Sequence, residues 1–95
     1  MRRIVLDAAG WHDSADFYDA LLPALGAPEW HGRNLDALLD SLSSDINSVE
    51  PPFIVELLHT STRNDQLKNF LADVVETFGY ARTERDSDVE IVLSA

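Results

Sequence analysis

The sequence predicts an α/β domain in which a small three-stranded parallel β-sheet packs against three to four helices. Three short runs of β-branched and aliphatic residues indicate buried strands. Apolar residues at helical spacing separate these runs, and strands that alternate with helices are typical of parallel sheets. The predicted order is therefore β-α-α-β-α-β. The 95 residues suffice for one domain, so we assign residues 1–95 to a single domain.

The first strand is the aliphatic run Ile4-Val5-Leu6. Asp13 or Ser14 is expected to cap the helix that follows, because short polar side chains accept hydrogen bonds from the free N–H groups of a first turn. Gly26 suits the end of this helix. Pro23 lacks a backbone donor, so it predicts a kink or an earlier end. The apolar face of the helix carries Phe17, Ala20, Leu21, Ala24 and Leu25.

The second helix follows a loop over residues 26–34, and Asn34 can cap it. Its leucines recur at helical spacing and predict one buried stripe. At about 100° per residue, Asp36 and Asp40 lie roughly 100° and 140° from Leu35, so both aspartates share an exposed stripe. The leucines of the buried stripe are Leu35, Leu38, Leu39 and Leu42.

The second half of the chain supplies one long helix and two strands. Residues 43–51 are polar and irregular, and residues 52–58 form a buried strand with prolines only at its entrance. The third helical face is predicted to end at Gly79, with the structure of residues 59–65 before it left open. Residues 89–93 alternate as the last strand. The helical face carries Leu67, Phe70, Leu71, Val74, Val75 and Phe78.

The charge balance is strongly acidic. Seventeen Asp and Glu residues stand against seven Lys and Arg, which gives a formal net charge of −10. Such a surface repels phosphate, so direct binding to nucleic acid or to an anionic membrane is not expected. Opposite potentials accelerate and orient encounters between proteins, so the balance favours a basic protein partner.

Cysteine usage and motifs argue against an enzyme with a bound cofactor. The chain has no cysteine, which excludes disulfides and thiolate chemistry. The histidines His12, His31 and His59 show no metal-ligand spacing, and there is no phosphate-binding glycine loop or nucleophile elbow. We therefore expect neither metal nor cofactor. The short apolar run near the N-terminus does not resemble a secretory signal, so we expect a cytoplasmic location.

Two features indicate an interaction surface. Asp36 and Asp40 repel each other by roughly 0.2–0.5 kcal/mol at this helical spacing. Either they are ordinary solvated charges, with Asp36 suiting the helix dipole and Arg33 partly neutralising the pair, or a cationic partner relieves the repulsion. Similarly, Trp30 either covers the edge of the core or is an exposed aromatic anchor for a partner. Gly32 supplies backbone freedom for a turn or a close approach.

Residues 27–42, with the sequence Ala-Pro-Glu-Trp-His-Gly-Arg-Asn-Leu-Asp-Ala-Leu-Leu-Asp-Ser-Leu, resemble the signature of the barstar family. Members of this family are small intracellular protein inhibitors of secreted bacterial ribonucleases. The signature runs Pro-Glu-aromatic-(Tyr/His)-Gly-x-Asn-Leu-Asp-Ala-Leu-x-Asp-x-Leu. Residues 52–78 and 89–94 are similar to the family more weakly. The resemblance implies a single barstar-like domain with the element order given above.

The resemblance also implies inhibition by occlusion, in which an acidic helix and the loop before it plug a nuclease active site. Asp40 would be the central anchor in place of an RNA phosphate, and Asp36 would meet basic groups nearby. Trp30 would stack on an active-site side chain, while Gly32 and Asn34 would supply hydrogen bonds. The full set of implied partner-binding residues is Trp30, His31, Gly32, Asn34, Asp36, Leu39, Asp40, Ser43 and Glu84.

The implied function is a non-enzymatic inhibitor of a basic, secreted, guanyl-specific bacterial ribonuclease, bound as a 1:1 complex by a chain that is monomeric when free. Three departures from the family pattern suggest a different cognate enzyme or weaker binding to the usual one. Leu39 replaces a tryptophan, Arg33 occupies a position that is often acidic, and the connection over residues 43–52 is longer. The alternative is an immunity or regulatory module for another basic protein or nuclease toxin. A third hypothesis, an enzyme that uses Asp and His groups, has no motif to support it.

Overall fold

The computed structural model describes residues 1–44 and 46–95, and it confirms the predicted fold class. Within these residues three helices and three strands follow one another in the predicted order. All strand pairs are parallel, and the strand order in the sheet is β1-β2-β3. The elements are β1 (Arg2–Asp7), α1 (Ser14–Leu25), α2 (Leu35–Leu42), β2 (Phe53–Leu58), α3 (Asp65–Glu84) and β3 (Val89–Leu93).

The central strand β2 shows why the sheet is covered by helices on one face. Its residues alternate strictly between buried and half-buried, as a pleated strand with one packed face requires. Val55 is fully buried and pairs with Ile4 on one side and Ile91 on the other. Half-buried Glu56 lies on the opposite face, where it accepts a hydrogen bond from Arg3 at 3.0 Å. The core therefore lies between one sheet face and the helices.

Helix α1 begins as predicted and extends past its proline. Asp13 is the N-cap, and its carboxylate accepts from the Ala15 N–H at 3.0 Å. The prediction of an early end at Pro23 was wrong, because the helix continues to Leu25 and ends at Gly26, whose φ of 65° is left-handed. The missing N–H removes one bond near the helix end, and burial of the apolar face keeps the last turn in place. The buried residues are Phe17, Tyr18, Leu21, Leu22 and Leu25.

Helix α3 is longer than its sequence predicts. Asn64 caps it, and residues 59–64 form no helix of their own. The prediction that Gly79 ends the helix was wrong, since the helix continues to Glu84. Phe78 and Ala81 are buried on either side of this glycine, so packing outweighs its low helix propensity of about 1 kcal/mol relative to alanine. The extra turn carries the end of α3 alongside α2.

Candidate functional site

Helix α2 presents its two aspartates to solvent, as the helical wheel predicts. Leu38 and Leu42 are fully buried, and Asp36 and Asp40 are exposed. The Asn34 side chain caps the helix by accepting a hydrogen bond from the Ala37 N–H at 2.8 Å. Both carboxylates therefore project from a helix whose other face is anchored in the core. Leu35 and Leu39 are half-buried beside the aspartates.

The loop before α2 exposes one large aromatic side chain. Trp30 is 74% exposed, so it does not cover the edge of the core. Gly32 lies close to the start of α2, where an added Cβ would come within 3.0 Å of Asn34 Nδ2 and 3.1 Å of Ala37 Cβ. A side chain at this position would crowd the N-cap. The glycine thus lets the loop that carries Trp30 approach the start of α2 closely.

The side chain of His31 is buried inside the loop and not on the surface. The prediction counted it among the partner-binding residues, but its side chain is only 7% exposed, so it is not available for direct contact in the free chain. Its Nδ1 donates to the carbonyl oxygen of Gly32 at 2.7 Å. Its backbone N–H donates to Pro28 at 3.0 Å. His31 therefore supports the loop from within, while the side chain of the neighbouring Trp30 is exposed.

Arg33 does not neutralise the aspartate pair as the sequence suggested. Its guanidinium donates to the Ala15 carbonyl oxygen at 3.0 Å and forms a close ion pair with Asp19. Both acceptors belong to α1, so Arg33 ties the loop to that helix. The sequence could not distinguish these acceptors from Asp36, since it fixes only distances along the chain.

A different cation stands beside the second aspartate. Arg85, the residue that caps the end of α3, donates from Nη1 to Asp40 Oδ1 at 3.1 Å. The Asp40 side chain stays 64% exposed and the Arg85 side chain 40% exposed, so the pair lies in water and leaves the carboxylate accessible. Arg85 was not predicted to join this surface, because the third helix was expected to end at Gly79.

The close approach of α3 adds acidic residues to this surface. A groove of about 340 Å³ runs between α2 and α3, and Tyr80 on its wall is 51% exposed. We call the carboxylates of Asp36, Asp40, Asp73 and Glu76 the acidic face. The groove is lined by Leu35, Asp36, Leu39, Asp73, Glu76, Thr77, Tyr80 and Arg85.

The remaining predicted residues lie around this face. The Ser43 hydroxyl donates to the Leu39 carbonyl oxygen at 2.6 Å, which places it at the end of α2. Leu39 itself is half-buried and packs against the core. Glu84 is exposed as the last residue of α3, next to Arg85 in the chain. The fold therefore gathers Asp36, Leu39 and Asp40 on α2, with Ser43 as its C-cap, and brings the end of α3 beside them.

One of the three histidines pairs with a carboxylate at the end of the sheet. His59 Nδ1 lies 2.9 Å from Asp7 Oδ1, where β1 and β2 end. The backbone N–H of Ala9 and the hydrogen bond with His59 lower the pKa of Asp7 below its ordinary value. Among residues 1–44 and 46–95, no group of three or more His, Asp and Glu side chains is arranged to hold a metal ion. In the same part of the chain, no helix is long and apolar enough to cross a membrane.

Comparison with known proteins identifies the family of this chain. A family model described as Barstar (barnase inhibitor) matches residues 1–94. The chain belongs to the barstar family. A relative from Bacillus subtilis (strain 168), named "Putative ribonuclease inhibitor YrdF", is 30% identical over 93 residues, which are 98% of this chain and 99% of the relative.

Family membership covers nearly the whole chain and confirms the resemblance found in residues 27–42. Barstar proteins form an inhibitor family, so membership supports a general role in ribonuclease inhibition and a ribonuclease as partner. The same membership points away from an enzyme.

Proposed function

We propose that this barstar-family protein inhibits a secreted, guanyl-specific bacterial ribonuclease without catalysis, by covering its active site in a 1:1 complex. The observation that carries the proposal is the pair of exposed carboxylates on α2, Asp36 and Asp40, together with the exposed ring of Trp30 in the loop that leads into this helix. A ribonuclease cleft must be cationic to bind RNA. Carboxylates on a helix anchored in the core are a preformed substitute for phosphates, because little side-chain freedom is lost on binding.

In this mechanism each side chain has a separate task. Asp40 enters the phosphate position and accepts hydrogen bonds from cations of the enzyme, since charge-assisted bonds to carboxylates are among the strong ones. Asp36, one turn earlier on the same exposed stripe, meets neighbouring basic groups. Trp30 stacks on a side chain at the rim of the active site. Gly32 and Asn34 add hydrogen bonds from the loop.

Charge would also make the encounter fast. The chain carries a formal charge of −10, and its acidic face concentrates four carboxylates on two adjacent helices. A basic enzyme would be drawn to this face and oriented by it, which raises the association rate at low salt. Fast capture suits an inhibitor that protects a producing cell. We accordingly propose a cytoplasmic location and a monomer that awaits the enzyme.

A second candidate is a barstar-family immunity or regulatory module for another basic protein or nuclease toxin. It is favoured by Leu39, which stands half-buried where the family pattern has a tryptophan. The loss of a large aromatic beside Asp40 changes the shape that a partner must match. The long connection after α2 points in the same direction.

One assay separates these candidates. RNA cleavage by barnase and by several other secreted bacterial ribonucleases is measured with increasing amounts of the purified protein. We expect complete inhibition of at least one enzyme at a 1:1 ratio, with association slowing as the salt concentration rises from 0.1 M to 1 M, where the Debye length falls from about 10 Å to about 3 Å. Failure to inhibit any of these enzymes would reject the leading proposal. A pull-down from the native cell would then identify the basic partner that the second candidate requires.

A further inference from the structure

Arg85 is a cation within an otherwise acidic neighbourhood. It borders the α2–α3 groove, where Asp73 and Glu76 lie, and also a second groove of about 270 Å³. Asp86 and Asp88 line that second groove. The guanidinium therefore stands at the boundary of two acidic grooves, directly against Asp40.

The hydrogen bond between Arg85 and Asp40 is weak and exposed, so a binding partner can replace it. A single contact joins Nη1 to Oδ1 at 3.1 Å, whereas the strongest arginine–carboxylate pairs use two parallel bonds. Both side chains remain substantially exposed, so water competes for the contact and the pair contributes little to stability. The Arg85 backbone N–H bonds separately to Ala81 at 3.2 Å. The side chain can therefore leave Asp40 without disturbing the end of α3.

We propose that Arg85 is a built-in counter-ion of Asp40, which a cation of the partner displaces when the complex forms. The proposal rests on the proposed function and adds to it a residue that sets affinity. In the free chain, Arg85 relieves the repulsion among the neighbouring carboxylates. In the complex it must leave Asp40 and remain near the incoming cation, which it repels. Residue 85 therefore lowers both the association rate and the affinity for a purely cationic site.

The chain provides a matched control for this idea. Arg82 also lies near the end of α3 and forms a comparable surface ion pair, with Glu90 at 2.8 Å. Substitution of either arginine by glutamine changes the net charge by the same amount, and only one of the two touches the acidic face. Long-range attraction therefore changes equally, and any difference between the variants reports the contact with Asp40.

The experiment measures the association rate and dissociation constant of each variant with the ribonuclease that the wild-type chain inhibits. Arg85→Gln is expected to tighten the complex about two- to tenfold, the combined effect of an exposed ion pair and one nearby repulsion. Arg82→Gln should change it by less than about twofold, and Arg85→Lys, which keeps the cation, should stay near wild type. Equal effects of the two glutamine variants would overturn the proposal. Weaker binding by Arg85→Gln would also overturn it, because Arg85 would then contact a carboxylate of the partner.

A second arm tests the counter-ion without a ribonuclease. A hexa-arginine peptide is titrated into the same variants, and backbone NMR shifts of Leu39 and Asp40 report its binding. Arg85→Gln should bind the peptide more tightly than Arg82→Gln, and this advantage should disappear when Asp40→Asn is added to both. If that pattern holds but no ribonuclease is inhibited, the result supports Arg85 as the counter-ion of Asp40 and rejects the proposed function. If a ribonuclease is inhibited but the two glutamine variants behave alike, the result supports the proposed function and rejects the counter-ion role of Arg85.

Discussion

Truncation of Asp40 to alanine is the most direct test of the acidic face. In the free protein the carboxylate is 64% exposed and bonds only to Arg85 among the described residues, so the variant should fold with a loss of at most about 1 kcal/mol. In a complex that excludes water, the same change leaves a cation of the enzyme buried without its partner. Such a loss costs about 3–5 kcal/mol.

At about 1.4 kcal/mol per tenfold, the dissociation constant of Asp40→Ala should rise between about a hundredfold and several thousandfold. The lost contact with Arg85 offsets a small part of this rise, because the variant has no Arg85–Asp40 ion pair to break when the complex forms. A faster dissociation rate of the complex should account for most of this change. The increase exceeds what the loss of one charge from a surface of −10 can produce through steering alone.

Glu90→Ala is the matched control for this variant. Glu90 is also paired with an arginine, Arg82, and its removal changes the net charge by the same amount. It lies on β3, away from the acidic face, so its dissociation constant should change by less than about threefold. Inhibition of RNA cleavage is titrated for both variants, and urea unfolding checks that both are folded. Equal losses of inhibition would refute the assignment of Asp40 as the anchor.

Three further predictions concern the exposed ring of Trp30, the core and the pH dependence of stability. Trp30→Ala should weaken the ribonuclease complex by about 2–4 kcal/mol, because apolar contact and stacking are lost. Its free energy of unfolding should stay within about 0.5 kcal/mol of wild type. A folded variant that inhibits as well as wild type would place the ring outside the interface. Leu38→Ala removes a fully buried side chain of α2 and should cost about 2–5 kcal/mol in urea unfolding; a loss below about 1 kcal/mol would mean that α2 is not anchored as described. Burial raises the pKa of Tyr18 to about 12, so the folded state holds the phenolic proton more tightly than the unfolded chain, whose tyrosine pKa is about 10. Stability should therefore fall as pH rises from about 10 through about 12, and Tyr18→Phe should remove this component in unfolding measurements across that range.

Local patterns predicted the elements around the acidic face well. The helical wheel of α2 placed Asp36 and Asp40 outward, because four leucines in one short helix leave a single way to bury it. Asn34 was predicted as the cap from its side chain and its position before the leucine stripe. These predictions succeeded because they depend on contacts within one turn of helix.

Predictions about element ends were less successful. Pro23 was expected to kink its helix or end it early, and Gly79 to end its helix, yet α1 and α3 both continue past these residues. The penalty at each residue is of the order of 1–3 kcal/mol, and burial of neighbouring side chains such as Phe78 outweighs it. Local propensity cannot anticipate this outcome, because the compensating contacts come from other elements.

The sequence by itself determined the α/β class, the order of elements, the acidic character and the two outward aspartates, since composition and short-range periodicity suffice for these. Only the tertiary structure decided which cations stand near them. In the folded chain Arg33 bonds to α1, His31 is buried in the loop, and Arg85 contacts Asp40, which lies 45 residues earlier in the chain. Charge pairs between distant residues depend on how helices pack, and no spacing along the chain encodes that geometry.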